Sequence, residues 1–162
     1  MNQQERLESV ANYDAAMRAK DWKTATELAR QHVPLHNQIG ITIVKKDENG
    51  ILMTMELSES IRGLADGSIH GGILATFSDV ASAFALEGSF DESEIPVTTD
   101  MHIRYYRQPR SGPLRAEATV VHRGRRLLSC ESSIADADNR VLARGTATYM
   151  LVPRPGSDTR SG

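Results

Sequence analysis

Cysteine is nearly absent: the 162 residues contain one, Cys130. An intrachain disulfide and a cysteine-based zinc site are thereby excluded. Cys130 falls in a strand-like run, where a lone thiol reads as a small buried hydrophobe rather than a nucleophile. Neither sign of charge is in excess, since 19 basic and 21 acidic residues leave a net charge of −2. Nucleic acid is not an expected general partner at that balance. No apolar run approaches the roughly 18 residues of a membrane span. The first eight residues are mostly polar, without a signal-peptide core. The expected compartment is therefore the cytoplasm, with no membrane partner. Internal repeats are also missing.

What the chain does have is an ordinary globular composition. Hydrophobic residues are 40%, and 12 Gly (about 7%) bring the sum to about 47%. A wholly disordered chain is excluded. The length suits one domain that buries roughly 68–70% of its unfolded surface.

Periodicity sorts the chain into segments. Over residues 5–18, Leu7, Val10, Tyr13 and Met17 recur at helical spacing. Asp21 reads as the N-cap of a second helix carrying Trp22, Ala25, Leu28 and Ala29, which Pro34 stops. These first 35 residues carry no recognisable chemistry and read as a packing or lid element. Residues 39–57 read as a hairpin. Ile39, Ile41 and Ile43 form one face, Asp47-Glu48-Asn49-Gly50 supplies the turn with Asn-Gly as its strong hairpin signal, and Ile51, Met53, Met55 and Leu57 return. Residues 71–86 are the strongest helix, with Ile73, Leu74, Phe77, Val80, Ala81, Phe84 and Ala85 on one face. Four strands are expected within 97–151, and short connections make neighbours antiparallel. A tail over 153–162 is expected to be mobile.

The central helix is chemically unusual. Asp79 is the one charged residue between Gly71 and Leu86, and it lies opposite the Phe77/Val80/Phe84 stripe. Its companions there, Ala75, Thr76, Ser82, Ala83 and Leu86, are small or apolar, whereas a solvent face would carry Lys, Glu or Gln. The first face is expected to meet the sheet, and the second another subunit. A lone carboxylate in such a place is either hydrogen-bonded to a neighbour or functional. His70-Gly71-Gly72 opens the helix. Two glycines allow close backbone approach, and free N–H groups at a helix N-terminus favour developing negative charge. That is the physics of an oxyanion site, although Gly-Gly before a helix is also a common turn and His70 also suits fixing that turn by hydrogen bonding. Further on, Arg123, Arg125 and Arg126 surround Gly124, a pattern that suits phosphates or a solvated basic turn. The five histidines, at 32, 36, 70, 102 and 122, form no metal cluster. His32 and His36 have a metal-compatible spacing, but Pro34 breaks the helix between them. No metal and no separate cofactor are expected.

The run His70-Gly71-Gly72-Ile73-Leu74-Ala75-Thr76-Phe77-Ser78-Asp79 resembles the signature of hotdog-fold acyl-CoA thioesterases of the phenylacetate-degradation (PaaI-like) type. The likeness extends over residues 38–151, with Gly67, the strand Val97–Tyr106 and the Gly124 corner also in place. The resemblance implies an α+β hotdog fold, in which a curved antiparallel sheet of about six strands wraps one long helix. Two subunits would join their sheets, giving a homodimer or homotetramer with the active site at the interface. It implies further that the Gly71 N–H, with His70 and Gly72 beside it, polarises the thioester carbonyl. Asp79 of the other subunit would be nucleophile or general base. Thr98 would place the water, and the segment matching His122-Arg123-Gly124-Arg125-Arg126 would contact coenzyme A, which is part of the substrate. The expected organisation is an N-terminal helical extension (1–35), a hotdog domain (36–152) and a flexible tail (153–162). Many members carry Asn or a similar polar residue six positions before the histidine. Leu64 stands there, and neither Arg62 nor Asp66 matches. Thioester hydrolysis is the leading expectation. A non-catalytic acyl-CoA-binding module and a hydratase or dehydratase on the same fold are the alternatives. Met53, Met55, Phe84 and Leu86 are candidates to line an acyl pocket.

Overall fold

The computed structural model describes residues 3–65 and 68–154, with side chains from Glu8 onward. Asp66, Gly67, the Leu7 side chain and the tail from Pro155 lie outside the described residues. The elements are helices α1 (Gln3–Arg18), α2 (Trp22–His32), α3 (Pro34–Ile39) and α4 (Gly71–Leu86), and strands β1 (Ile41–Lys46), β2 (Gly50–Met55), β3 (Glu94–Tyr105), β4 (Leu114–Arg123), β5 (Leu127–Ala135) and β6 (Val141–Pro153). The strands form one antiparallel sheet in the order β1-β2-β4-β5-β6-β3. The fold is α+β, a six-stranded antiparallel sheet with α4 packed on it.

Local chemistry sets the boundaries. Asp21 caps α2, its Oδ1 accepting from the Thr24 N–H at 3.1 Å. Pro34 ends α2 but also starts a short helix, because its missing N–H costs nothing at a first helical position. Ile39 consequently belongs to α3 and not to the hairpin. Gly40, left-handed at φ 69°, then turns the chain into β1. The β1–β2 turn is organised by Asp47 rather than by a primed Asn-Gly turn: its Oδ1 accepts from the N–H groups of Asn49 and Gly50, both at 2.9 Å. Those bonds hold its carboxyl below the usual range. Gly50 is needed for a different reason, since a Cβ there would stand 2.7 Å from the Ala118 carbonyl oxygen on β4.

Helix α4 sits unusually close to the sheet. Ala143, Gly145 and Ala147 of β6 present little or no side chain towards it, and a Cβ on Gly145 would lie 2.5 Å from Ser78 Oγ. Ser78 and Ser132 satisfy each other at 2.6 Å in this buried seam. Phe77, Leu74, Ala81 and Ala85 fill the core with Met53, Met55, Leu114 and Leu128. Full burial of the larger of these side chains contributes about 1.5–3 kcal/mol each. The close seat corrects one expectation about the second face. Ser82 and Leu86 are buried within the chain itself, at 1% and 0% exposure, and only Ala75, Thr76, Asp79 and Ala83 stay half-buried. Cys130 is buried and its Sγ faces the Ser82 carbonyl at 3.5 Å, while burial pushes its thiol up to about 11. It is part of the core. Met53, Met55 and Leu86 are core as well.

The two sheet edges differ. On β1, α2 satisfies the outward backbone: Arg30 Nε donates to the Ile41 carbonyl at 2.7 Å, and Thr26 Oγ1 accepts from the Ile43 N–H at 2.9 Å. On the other side, among the described residues, β3 pairs only with β6, leaving a 12-residue edge open.

Helices α1 and α2 also cover the C-terminal end of α4. There Tyr13 donates to Glu87 Oε1 at 2.6 Å, and Lys46 Nζ donates to the Ala85 carbonyl at 2.9 Å. Burial pushes Glu87 up to about 7. A carboxyl raised in this way keeps its proton when folded after the unfolded chain has lost it. Stability from Glu87 therefore falls as pH rises from the ordinary carboxylate range through about 7. Glu87→Gln is expected to gain in Tm relative to the wild type between about pH 5 and about pH 8. Parallel Tm curves for the two proteins in calorimetry would remove the burial of this carboxyl from the stability of the fold.

Candidate active site

Two clusters of chemistry lie on α4. At its N-terminus, the segment entering the helix is tied down from both sides. The Ile69 N–H donates to Gln108 Oε1 at 2.9 Å, and Ile69 bridges to Arg62. His70 is the N-cap by position, but its side chain makes no capping bond. Its carbonyl accepts from the Ile73 N–H at 3.0 Å. The His70 side chain is exposed. Gly71 lies beneath the Tyr105 ring, where a Cβ would meet Cζ at 3.4 Å, whereas nothing stands within 4 Å of one on Gly72. The first N–H groups of a helix have no intrahelical acceptor and carry its positive dipole end. This end of α4 therefore presents backbone donors that suit an oxyanion. Leu64, in the position where the family pattern has a polar residue, is fully exposed. Gln108 supplies polar support to the same segment from the loop after β3.

Two turns further on, the Asp79 carboxylate is held from the sheet. Thr98 Oγ1 on β3 and Tyr149 OH on β6 both donate to Asp79 Oδ1, each at 2.9 Å. Tyr149 OH also lies 3.0 Å from the Asp79 carbonyl. Burial first, and the Asp79 charge second, push the Tyr149 phenol well above its ordinary range, so it remains a donor. Among the described residues no group bonds Oδ2. One carboxylate oxygen is thus fixed and the other is free to take a proton or attack a carbon. The resemblance gives Thr98 the task of placing water; in the structure its hydroxyl donates to Asp79. Sequence reasoning misses Tyr149. The only signal for it is a large residue following the small inward run Ala143, Gly145, Ala147. Gln108 and Tyr105 are missed too, since both act through loop and edge geometry without sequence pattern.

Gly71 and Asp79 do not meet within one chain. Eight residues at roughly 1.5 Å each separate them by about 12 Å along the axis. The Arg123–Arg126 corner is elsewhere again, at the far end of β4. Arg123 donates to Ser89 Oγ at 3.1 Å, to Asn49 Oδ1 at 3.2 Å and to the Glu48 carbonyl, bracing the β1–β2 turn. Arg125 and Arg126 are exposed, with no side-chain hydrogen bond or ion pair to the described residues. Gly124 is required sterically, because a Cβ there would stand 2.8 Å from the Leu127 carbonyl oxygen. No group of three His, Cys, Asp or Glu able to hold a metal occurs among the described residues. No helix among them is long and apolar enough to cross a membrane.

Known proteins share this frame. The thioesterase superfamily profile matches residues 66–143. A crystal structure from the thioesterase superfamily is 32% identical, with a TM-score of 0.68 over 75% of this chain and 91% of that one. The E. coli PaaI protein of the phenylacetic acid degradation operon is 22% identical, with a TM-score of 0.69 over 78% and 89% of the two chains, a likeness of fold. The medium/long-chain acyl-CoA thioesterase YigI of Salmonella typhimurium is 22% identical over 143 residues, 80% of this chain and 92% of that protein. With the profile running from before His70 to beyond the arginine corner, and a 32%-identical relative spanned over nine-tenths of its length, this chain belongs to the thioesterase superfamily, on the hotdog fold.

Proposed function

We propose that the protein hydrolyses acyl-CoA thioesters to a free acid and coenzyme A at a site shared by two subunits. The observation that carries this reading is the Asp79 carboxylate, with Oδ1 held by Thr98 and Tyr149 and Oδ2 free. The carbonyl oxygen is polarised by the N–H of the partner subunit's Gly71, aided by the helix dipole there. Asp79 Oδ2 either takes a proton from water as that water attacks, or attacks the carbonyl carbon itself. The tetrahedral intermediate then expels the coenzyme A thiolate. In the first case this leaves the free acid, and the proton held by Asp79 passes to the thiolate; in the second it leaves an anhydride on Asp79, which water hydrolyses to the free acid and the restored carboxylate. The separation of about 12 Å between Gly71 and Asp79 in one chain favours a two-subunit site. The open β3 edge, next to Thr98, favours joining through that strand. Arg125 and Arg126 hold the nucleotide phosphates of coenzyme A, while Arg123 stays in its structural brace.

Asp79→Ala is expected to lower kcat at least about a hundredfold with the fold intact, the usual worth of a general base. Tyr149→Phe, which removes one charge-assisted bond, is expected to cost about tenfold in kcat with KM little changed. Release of free thiol from a panel of acyl-CoAs reads both. No release from any thioester by folded wild type would sink the hydrolase reading.

Light scattering is expected to show a dimer or a larger even assembly at micromolar concentration. A stable monomer that still turns over would contradict the shared site.

Neutralising Arg125 and Arg126 together is expected to raise KM for all acyl-CoAs alike, since remote contacts present throughout the reaction act as uniform binding. Wild-type KM should rise with salt, as exposed pairs are screened over about 10 Å at 0.1 M. A changed preference among acyl groups would instead move the corner to the acyl end of the site.

A further inference from the structure

A cavity of about 630 Å³ lies between α1, α2 and the second half of α4, in the size range of small-molecule sites. It is built on the N-terminal helices, which fall outside the part of the chain that the superfamily profile matches. Its apolar wall includes Tyr13, Met17, Phe84, Phe90 and Ile95, with the Tyr13 and Phe84 rings edge to face at 6.1 Å. The cavity is continuous with the elements that hold Asp79. Ala83 and Glu87, both in its wall, follow Asp79 at one and two turns along α4, about 6 and 12 Å further on. Ile95 and Pro96, also in the wall, precede Thr98 on β3.

The far end is polar and holds side-chain atoms without partners. Glu87 Oε1 is taken by Tyr13, but Glu87 Oε2 is buried without a partner. His32 Nδ1 donates to the Leu28 carbonyl at 2.7 Å, and its buried Nε2 is also without a partner. A buried acceptor left unmade costs about 1–3 kcal/mol. Glu87 lines the cavity, and with Oε1 taken by Tyr13 it is Oε2 that is left for a ligand. Asp14 and Glu92 in the wall are balanced by Arg18 and Arg154, and Glu87, which burial pushes up to about 7, stands beside Lys46 without a full negative charge at neutral pH. A neutral donor suits that balance better than a cation.

We infer that this cavity receives the acyl chain of the substrate, and that the Glu87 end selects chains of medium length carrying a hydroxyl at or near their far end. The inference rests on the thioesterase reading of Asp79. It makes the N-terminal helices the specificity element of the enzyme.

The test compares acetyl-CoA, decanoyl-CoA and ω-hydroxydecanoyl-CoA by thiol release, alongside calorimetric titration of ω-hydroxydecanoic acid. Wild type is expected to prefer the hydroxylated chain over decanoyl by about tenfold in kcat/KM, the worth of one buried hydrogen bond. Glu87→Leu is expected to abolish that preference, and Glu87→Met, which keeps the length without a comparable hydrogen-bonding group, reads the same ratio should the leucine variant not fold. Ala83→Phe, which fills the lumen, is expected to lower both decanoyl substrates at least about tenfold relative to acetyl-CoA and to weaken binding of the acid. A preference that survives both Glu87 variants, or an unchanged acetyl-to-decanoyl ratio in Ala83→Phe, overturns the inference. If no thioester is hydrolysed, the thioesterase reading fails by itself. The titration then judges the cavity alone, with Ala83-sensitive binding in its favour and no binding against it.

Discussion

The distance between the central helix and the sheet governs the rest of the molecule. Gly145 and its small neighbours on β6 let α4 approach until serine hydroxyls touch across the seam. At that distance a tyrosine on β6 spans from the sheet to the helix backbone and to the Asp79 carboxylate. A methyl group at Gly145 would collide with Ser78 and Ser132, and overpacking such a seam typically costs about 1–3 kcal/mol. The same displacement would also pull Asp79 from Tyr149 and Thr98. Stability and site geometry are thus tied to one packing contact.

The two sheet edges are covered to different extents. A strand edge offers unpaired N–H and C=O groups to any other strand. Helix α2 blocks β1 with Arg30 and Thr26, so lateral growth on that side is closed. The β3 edge has no such cover among the described residues and carries Thr98, a partner of Asp79. The proposed two-subunit site would use this edge. Within one chain the rise of an α-helix keeps Gly71 and Asp79 about 12 Å apart.

The N-terminal helices act through burial as well as through the edge. They enclose Tyr13, Glu87 and Lys46 against the end of α4, where desolvation raises the carboxyl to about 7. They also leave a cavity instead of a filled core, because His32, His36 and Glu87 stand where apolar side chains would have closed the space. Unpaired acceptors at such a wall are a liability in a merely structural element.

Helix α4, from Gly71 to Leu86, is legible to the residue, because a 3.6-residue apolar period over four turns has no strand equivalent. The strands within 97–151 are also within reach, and the family signature marks both Thr98 and Asp79, although not the bond between them. Boundaries set by single residues are less so: Pro34 starts a helix as readily as it ends one, and Asp47 organises a turn for which Asn49-Gly50 is the stronger local signal. Local pattern is enough to specify most helices and strands, the lone acid on the central helix, and the family they compose. Packing in three dimensions had to add the service of Tyr149 and Gln108 to the site, the bracing role of Arg123, and the cavity under α1. Those facts depend on distances between residues far apart in the chain, and periodicity describes only neighbours along it.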